Sequence, residues 1–216
     1  MTWLNCLADP NAVFVADTSV LISLNATGRT ADVFGSFPCK FVVPDNVSAE
    51  LENGRRNGYR DADALDELCQ HGHARRVDLG AAALRVYESL VDGSTLRTLD
   101  DGEAATIGCA VELAGVALID ERKARLLCSE NYPELTVVST AGLLLCDPVK
   151  SILGESGQAA ALLDALQKAR MRVPKELVAA VCRVIGPDAA MGCTSLPRSY
   201  IATLKGSNAA ECRMTP

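Results

Sequence analysis

Residues 13–24 read VFVADTSVLISL and place one charged side chain, Asp17, in one of the most apolar stretches of the chain. The β-rich run VFVA ends at this aspartate, and TSVLISL opens a helix directly behind it. Because ionised carboxylates are seldom buried alone, Asp17 has a hydrogen-bonding or cationic neighbour, binds a metal ion, or caps the helix. The stretch therefore predicts a strand–helix unit with a polar group at its junction.

Similar units follow along the chain. CKFVV leads into PDNVSAELENG, where Pro44 suits the start of a helix and Gly54 its end. Further on come the helical DADALDELCQHG and AAALRVYESLVDG around the strand-like ARRVDL, then the helix DDGEAATIGCAVELAG, the strand VALID, the helix ERKARLLCSEN and the strand TVVST. Short apolar strands that alternate with helices predict an α/β fold with a parallel sheet covered by helices on both faces.

From about residue 140 the sequence predicts helices only. AGLLLCDPVKSIL, GQAAALLDALQKARM and PKELVAAVCRVIG form three helices, with Pro148 breaking or kinking the first and Pro174 starting the last. These helices are either a packed extension or a face that binds a partner. We therefore predict a domain at 12–153, a helical C-terminal extension at 154–186 and a loosely ordered tail at 187–216, where turn formers dominate.

Composition restricts the class of protein. The chain is 49% hydrophobic but has no apolar run of membrane-spanning length and no signal-peptide pattern at its start, so we expect a cytoplasmic protein without a membrane partner. Nine cysteines are scattered without a CxxC pair, which argues against a zinc site and fits a reducing compartment. A net charge of −6 argues against general nucleic-acid affinity, although a local basic groove beside an acidic site remains compatible with it.

Four acids occupy comparable places in these units. Asp17 and Asp120 each end a strand, and carboxyl ends of parallel strands are where sites gather. Glu50 lies about 60° from the buried Val47 around its helix, so it looks inward towards the sheet edge. Glu103 shares the buried face of its own helix in the first turn, and Asp100 is placed to cap that helix.

Four converging carboxylates would repel one another unless cations neutralise them. Hard oxygen ligands suit Mg²⁺ or Mn²⁺. Taken singly, Asp17 is explained about as well as a helix cap as it is as a ligand, and Asp120 is ambiguous in the same way. Glu50 and Glu103 alone are more often solvated helix acids, so only the joint placement of the four favours a site.

The motifs VFVADTSVLISL, VPDNVSAEL, LDDGEAATIGCA, ALIDERKARLLC and VVSTAGLLL, in this order, resemble those of the PIN-domain family. The Gly-Glu-Ala at 102–104 resembles one prokaryotic branch of that family, related to the VapC-type toxin ribonucleases. The resemblance covers roughly residues 12–186 and implies a PIN-like sheet with a helical C-terminal extension. It departs from the family at Glu103, where many relatives have aspartate, and at Ser139-Thr140, where a Gly-Thr pair is common.

The resemblance implies a metal-dependent endoribonuclease, in many cases the toxin of a toxin–antitoxin pair and often a homodimer. By position, the catalytic and metal-binding quartet would be Asp17, Glu50, Glu103 and Asp120, with Mg²⁺ or Mn²⁺ as cofactor and Ser19 and Asp100 in support. The RNA backbone also needs cations. The candidates are Arg55, Arg56 and Arg60, then Arg122, Lys123 and Arg125, with Tyr59 available for base stacking.

Two other functions fit part of the pattern. An aspartyl phosphotransferase needs a second aspartate two residues after the first, and Ser19 occupies that place, so this function is disfavoured. A PIN-like fold can also serve as a non-catalytic RNA- or protein-binding module. Stabilisation by Mg²⁺ or Mn²⁺ would separate the catalytic function from the binding module.

Overall fold

The structure, a computed structural model, describes residues 8–92 and 98–198. Its strands are β1 (Val13–Ala16), β2 (Lys40–Pro44), β3 (Ala74–Val77), β4 (Val116–Leu118) and β5 (Thr136–Val138). Within the described residues they form one five-stranded sheet in the order β3-β2-β1-β4-β5, with every neighbouring pair parallel. The predicted α/β fold with a parallel sheet is confirmed.

The helices of the described residues alternate with the strands and then continue alone. The helices are α1 (Thr18–Asn25), α2 (Thr30–Gly35), α3 (Asp45–Arg56), α4 (Asp61–Gln70), α5 (Ala81–Val91), α6 (Asp101–Glu112), α7 (Arg122–Asn131), α8 (Thr140–Leu144), α9 (Asp147–Lys168), α10 (Val178–Ile185) and α11 (Pro187–Met191), with a 3₁₀ turn at Lys175–Leu177. None of these helices combines the length and the apolar character needed to cross a bilayer.

The strand order reverses beside β1, and this reversal positions the site. From β1 the chain moves outward through β2 and β3, then returns to the other side of β1 with β4 and β5. Ala16 pairs with Leu118 at the carboxyl ends of β1 and β4. Ligand sites of open parallel sheets lie at such switch points, because the connecting segments diverge there and leave a crevice.

Helices bury both faces of the sheet. In β1, Phe14 and Ala16 face one hydrophobic core, while Val15 faces the other. This alternation follows from the two-residue period of a strand, and it explains why β1 reads as continuously apolar. The second core is closed mainly by α6 and α7, with Ile107 and Leu127 in it.

The C-terminal helices pack onto the first face of the sheet. Leu162 and Leu166 of α9 and Val181 of α10 are buried in the same core as Phe14. Inside α9 the helix is broken at Gly154, where φ is 70° and ψ is 172°. Of the two alternatives left open by the sequence, the structure therefore has the packed extension.

Three local predictions differ from the structure. Gly54 does not end α3, which continues to Arg56, because the residue keeps helical geometry there. The short helix α2 was not predicted. The tail begins with the ordered helix α11, whose Ala190 is buried, and Leu196 beyond it is buried too, because both apolar side chains join the first core. Residues 199–216 of the predicted tail lie outside the described residues.

Candidate active site

Asp17 is the N-cap of α1. Its Oδ2 accepts hydrogen bonds from the Ser19 backbone N–H at 3.2 Å and from Ser19 Oγ at 2.6 Å. The Asp17 backbone N–H donates to the Leu118 carbonyl oxygen, which ties the end of β1 to β4. Capping and hydrogen bonding thus account for one carboxylate oxygen of the buried Asp17.

Asp120 follows β4 at the same edge of the sheet and is held by the start of α8. Its Oδ1 accepts from the Thr140 backbone N–H at 2.7 Å, and its Oδ2 accepts from Thr140 Oγ1 at 2.8 Å. Ser139 caps the same helix through the Gly142 N–H. The Ser139-Thr140 pair, which departs from the family pattern, therefore supplies the cap of α8 and the anchor of Asp120. The motifs did not predict that Thr140 would be the hydrogen-bond donor to Asp120, because the two residues are 20 positions apart in the sequence.

Glu50 joins the beginnings of two other helices. Its Oε2 accepts a hydrogen bond from Thr18 Oγ1 at the start of α1, and its Oε1 accepts from the Gly102 N–H at the start of α6, at 2.8 Å. A Cβ on Gly102 would lie 2.6 Å from Glu50 Oε2, so a larger residue there would displace the Glu50 carboxylate. Glu50 looks inward from α3, in the direction that its helical position predicted.

Glu103 lies in the first turn of α6, beside the cap of that helix. Asp100 is the N-cap, and its Oδ1 accepts from the Glu103 backbone N–H at 2.9 Å. The Glu103 side chain is only 7% exposed, and carboxylates are rarely buried to this extent unless they have a partner.

The four predicted acids, Asp17, Glu50, Glu103 and Asp120, line one pocket of about 320 Å³. Its wall also contains Ser19 and Asp100, the two predicted supporting residues. Four separate elements, β1, α3, α6 and β4, deliver these acids to the switch point of the sheet. The remaining lining residues are Thr18, Ile22, Ser23, Glu121, Ala169, Arg170, Met171 and Arg172.

Burial and mutual repulsion shift the titration of three of the acids. Burial, reinforced by the charge of Asp100, raises the pKa of Asp17 to about 6. Burial and the charges of Asp100 and Asp17 raise the pKa of Glu103 to about 7. Burial raises the pKa of Asp120 to about 6, opposed by the hydrogen bonds from Thr140. The pocket thus gathers negative charge that the protein only partly offsets, as a cation site would.

The donor chemistry of the pocket fits a hard divalent cation, since every ligand group would be a carboxylate or hydroxyl oxygen. Among the described residues, however, no three His, Cys, Asp or Glu side chains converge closely enough to form a ready-made ligand cluster.

The predicted basic residues lie in different places. Arg55 forms ion pairs with three carboxylates of α3 and α4, those of Glu52, Asp63 and Asp66. Arg56 donates to Asn53, and neither arginine lines the acidic pocket. These two residues were candidates for the cations that an RNA backbone needs, and the structure places them on α3, where local acids engage Arg55.

Arg122 and Arg125, at the start of α7, line a second cavity that adjoins the first and shares Asp120 with it. Arg125 forms an ion pair with Glu176 at 3.1 Å and lowers the pKa of Asp120. Lys123 donates to the Thr98 carbonyl oxygen and lowers the pKa of Glu103. The cations of α7 are therefore close to the acids, as predicted.

Sequence reasoning missed the basic residues Arg170 and Arg172. They lie between α9 and the 3₁₀ turn, far along the chain from every acidic motif, and both line the acidic pocket. The stretch KARMRVPK at 168–175 is visibly rich in cations. The sequence does not show, however, that this stretch lies beside the acids in the fold.

The raised pKa values predict how stability depends on pH in the absence of metal. Folded, Asp17, Glu103 and Asp120 hold their protons up to pH 6–7; unfolded, they release them near pH 4. Because the folded state binds more protons across that window, stability falls as the pH rises through it. We expect the melting temperature in EDTA to drop by at least about 5 °C between pH 5 and pH 8. A melting temperature that stays level or rises over this range would contradict the assignment.

Comparison with known proteins places the chain in a family. The family model described as DUF3368, PIN domain, matches residues 13–187. A solved structure, the crystal structure of VapBC2 from Rickettsia felis bound to a DNA fragment from their promoter, is similar over 59% of this chain and 98% of that chain, with 12% sequence identity and a TM-score of 0.41. No curated protein matches. Because the family model spans well over half of its length, the chain belongs to the PIN-domain family, as its ordered acidic motifs predicted.

Proposed function

We propose that this protein is a Mg²⁺- or Mn²⁺-dependent endoribonuclease that hydrolyses RNA phosphodiesters at the acidic pocket. The observation that carries the proposal is the meeting of four acids from four elements at the sheet's switch point, three of them buried with raised pKa values. A negative pocket is a poor receptor for a negative substrate unless a cation mediates between them. Phosphodiester hydrolysis is the chemistry that needs this arrangement.

The roles of the residues follow from their contacts. Asp17, Glu103 and Asp120 would hold the cation, with Ser19 and Thr140 keeping two of the carboxylates in orientation. When bound, a divalent cation supplies Lewis acidity and a water of lowered pKa. At mildly acidic pH, binding also displaces the protons that the three carboxyl groups retain there.

Glu50 would act mainly by position. Both of its oxygens already accept hydrogen bonds from the starts of α1 and α6, so it keeps Asp17 and Glu103 at a fixed separation. A carboxylate oxygen has a second lone pair, so Glu50 can also contribute to the cation without giving up these bonds.

The test is cleavage of a mixed total-RNA substrate by the purified protein with Mn²⁺, with Mg²⁺ and with EDTA. Cutting is expected with either metal and none with EDTA. In the same buffers, saturating Mn²⁺ at about 100 times its Kd would stabilise the fold by about 2.7 kcal/mol. RNA left intact by a folded protein that Mn²⁺ does not stabilise would refute the proposal.

One observation favours the second candidate, a non-catalytic binding module. Among the described residues no three acids are already arranged as a metal-ligand cluster. The module predicts RNA binding without a metal effect on melting, so the same two measurements separate the candidates.

The family resemblance also supports a physiological role. The chain would be the toxin of a toxin–antitoxin pair, neutralised by an antitoxin protein, and would act as a homodimer in the cytoplasm. Free thiols such as Cys109, Cys128 and Cys146, whose pKa values burial raises to about 11 or 12, suit a reducing compartment. Induced expression of the chain should arrest growth, and expression of a site variant should not.

A further inference from the structure

The C-terminal extension returns to the acidic pocket through one short segment. Residues 169–172, Ala-Arg-Met-Arg, leave the end of α9 and line the pocket; we call them the basic crossover. The acids come from the N-terminal two thirds of the sequence, so this segment is the contribution of the extension to the site. Its two cations are the feature that the proposed function does not yet use.

The basic crossover is held in place from its middle. Met171 is 1% exposed and belongs to the first hydrophobic core. Its backbone N–H donates to the Ala165 carbonyl oxygen at 3.0 Å, a bond that ties the segment to the last turns of α9. Because Met171 is fixed inward, the exposed Arg170 and Arg172 on either side of it stand at the pocket wall.

Arg170 occupies a backbone position that ordinarily belongs to glycine. Its φ is 54°, and among the described residues Ala114 is the other non-glycine residue with positive φ. Glycine or asparagine is preferred at this place after a helix, because a Cβ crowds the left-handed conformation. A long cationic side chain kept at such a position, beside a site, points to a role for the side chain.

Other cations offset the charge of the buried acids. The cations that lower the pKa of Glu103 and Asp120 are Lys123 and Arg125 of α7. Arg172 forms an ion pair with Glu121, but its side chain stays 64% exposed. An exposed pair of this kind contributes little to stability and is easily exchanged for another anion.

We propose that Arg170 and Arg172 bind backbone phosphates of a single-stranded RNA next to the bond to be cut. Guanidinium groups recognise phosphate oxygens through paired, charge-assisted hydrogen bonds. Two such groups at the rim draw the backbone to a pocket whose interior would repel it. This inference rests on the proposed function for the identity of the substrate, but it concerns binding and can be tested without cleavage.

The first experiment measures how binding depends on salt. A fluorescein-labelled single-stranded RNA is titrated with protein in Ca²⁺ over a series of KCl concentrations, with RNA integrity checked on a gel. Removing one cation that neutralises a phosphate reduces the steepness of log K against log [KCl] by about 0.7. The double variant Arg170→Gln/Arg172→Gln should bind roughly tenfold or more weakly, and its slope should be shallower by about 1.4.

Arg183→Gln is the matched control, because Arg183 is an exposed arginine of α10 that does not line the pocket. It should leave both affinity and slope unchanged. A double variant whose slope equals that of the wild type, or a wild type that does not bind the RNA, would overturn the inference.

The second experiment separates binding from folding. Arg170→Gly relieves the left-handed backbone and should raise the melting temperature by about 2–4 °C, while weakening RNA binding. Arg170→Lys keeps the charge and should retain most of the salt slope. A merely structural arginine predicts the opposite result, unchanged binding in Arg170→Gly.

The failure of this inference is distinguishable from failure of the proposed function. RNA binding that depends on both arginines, without metal-dependent cutting, would keep the binding site and remove the nuclease. Metal-dependent cutting with an unaltered salt slope in the double variant would keep the nuclease and overturn the role of the basic crossover.

Discussion

Asp17→Asn should lower metal-dependent RNA cleavage by at least roughly 100-fold and, at the same time, make the metal-free protein more stable at pH 8. Activity falls while stability rises because both depend on the same Asp17 carboxylate. Its charge is needed to hold the cation, whereas without a cation that charge is buried beside Asp100 and Glu103.

The gain in stability has a calculable limit. A carboxyl group with a pKa of about 6 in the folded protein costs about 3 kcal/mol when it is held ionised at pH 8, relative to an ordinary aspartate. Asparagine removes this cost and keeps the cap, because its side-chain oxygen can still accept from the Ser19 N–H. A rise in melting temperature of about 6–12 °C in EDTA is expected at pH 8, about half of that at pH 5, and little change near pH 3, where the unfolded chain also keeps its proton.

The control for this variant is Glu88→Gln, which makes the same change of charge on the exposed side of α5. It should leave cleavage and melting unchanged. Cleavage at the wild-type rate by Asp17→Asn, in a preparation free of contaminating nuclease, would remove Asp17 from the site. A lower melting temperature at pH 8 would mean that its charge has a stabilising partner in the folded protein.

Among glycine-to-alanine substitutions in the part of the chain that the structure describes, Gly108→Ala should lower the stability of the fold the most. The Cβ would lie 2.4 Å from the carbonyl oxygen of Ala83, which is backbone of the facing helix α5 and is fully buried. The two helices must separate to admit it. Overpacking of this kind costs about 1–3 kcal/mol or more, and the higher helix propensity of alanine returns about 1 kcal/mol at most.

Because the obstructing atom is backbone, we expect a cost at the upper end of this range and a net loss of about 2 kcal/mol, seen as a fall of roughly 4–8 °C in melting temperature. Gly54→Ala is the matched control. In α3 the new Cβ would meet Tyr59 Cβ at 3.8 Å, an ordinary contact, so the same substitution should stabilise the protein slightly. Equal effects of the two substitutions would show that α5 and α6 are not packed as closely as described.

The effect of Gly108→Ala also bears on the site. Helix α6 carries Asp100 and Glu103 at its start, and its packing against α5 sets where that start lies. Separation of the two helices should therefore reduce cleavage even at temperatures where the variant is folded, by displacing these acids relative to Asp17.

Much of the fold was predictable because its signals are local. The strand–helix alternation depends on periodicities of two and 3.6 residues, which any short window of the chain displays. The inward direction of Glu50 and the capping role of Asp100 followed from the same local geometry. Gly54, by contrast, suggests a helix end because glycine is common just after the last residue of a helix. In the structure α3 continues through Gly54 to Arg56.

The candidate site divides in the same way. The sequence by itself determined the alternation of strands and helices, the order of the motifs and the four acids as candidates, because each of these depends on residues close together in the chain. The tertiary structure decided that Thr140 anchors Asp120 across 20 residues, that Glu50 bridges to Gly102 across 52 residues, and that the basic crossover faces the acids. Such contacts depend on how separate elements pack, and no local pattern of residues encodes the distance between two elements in space.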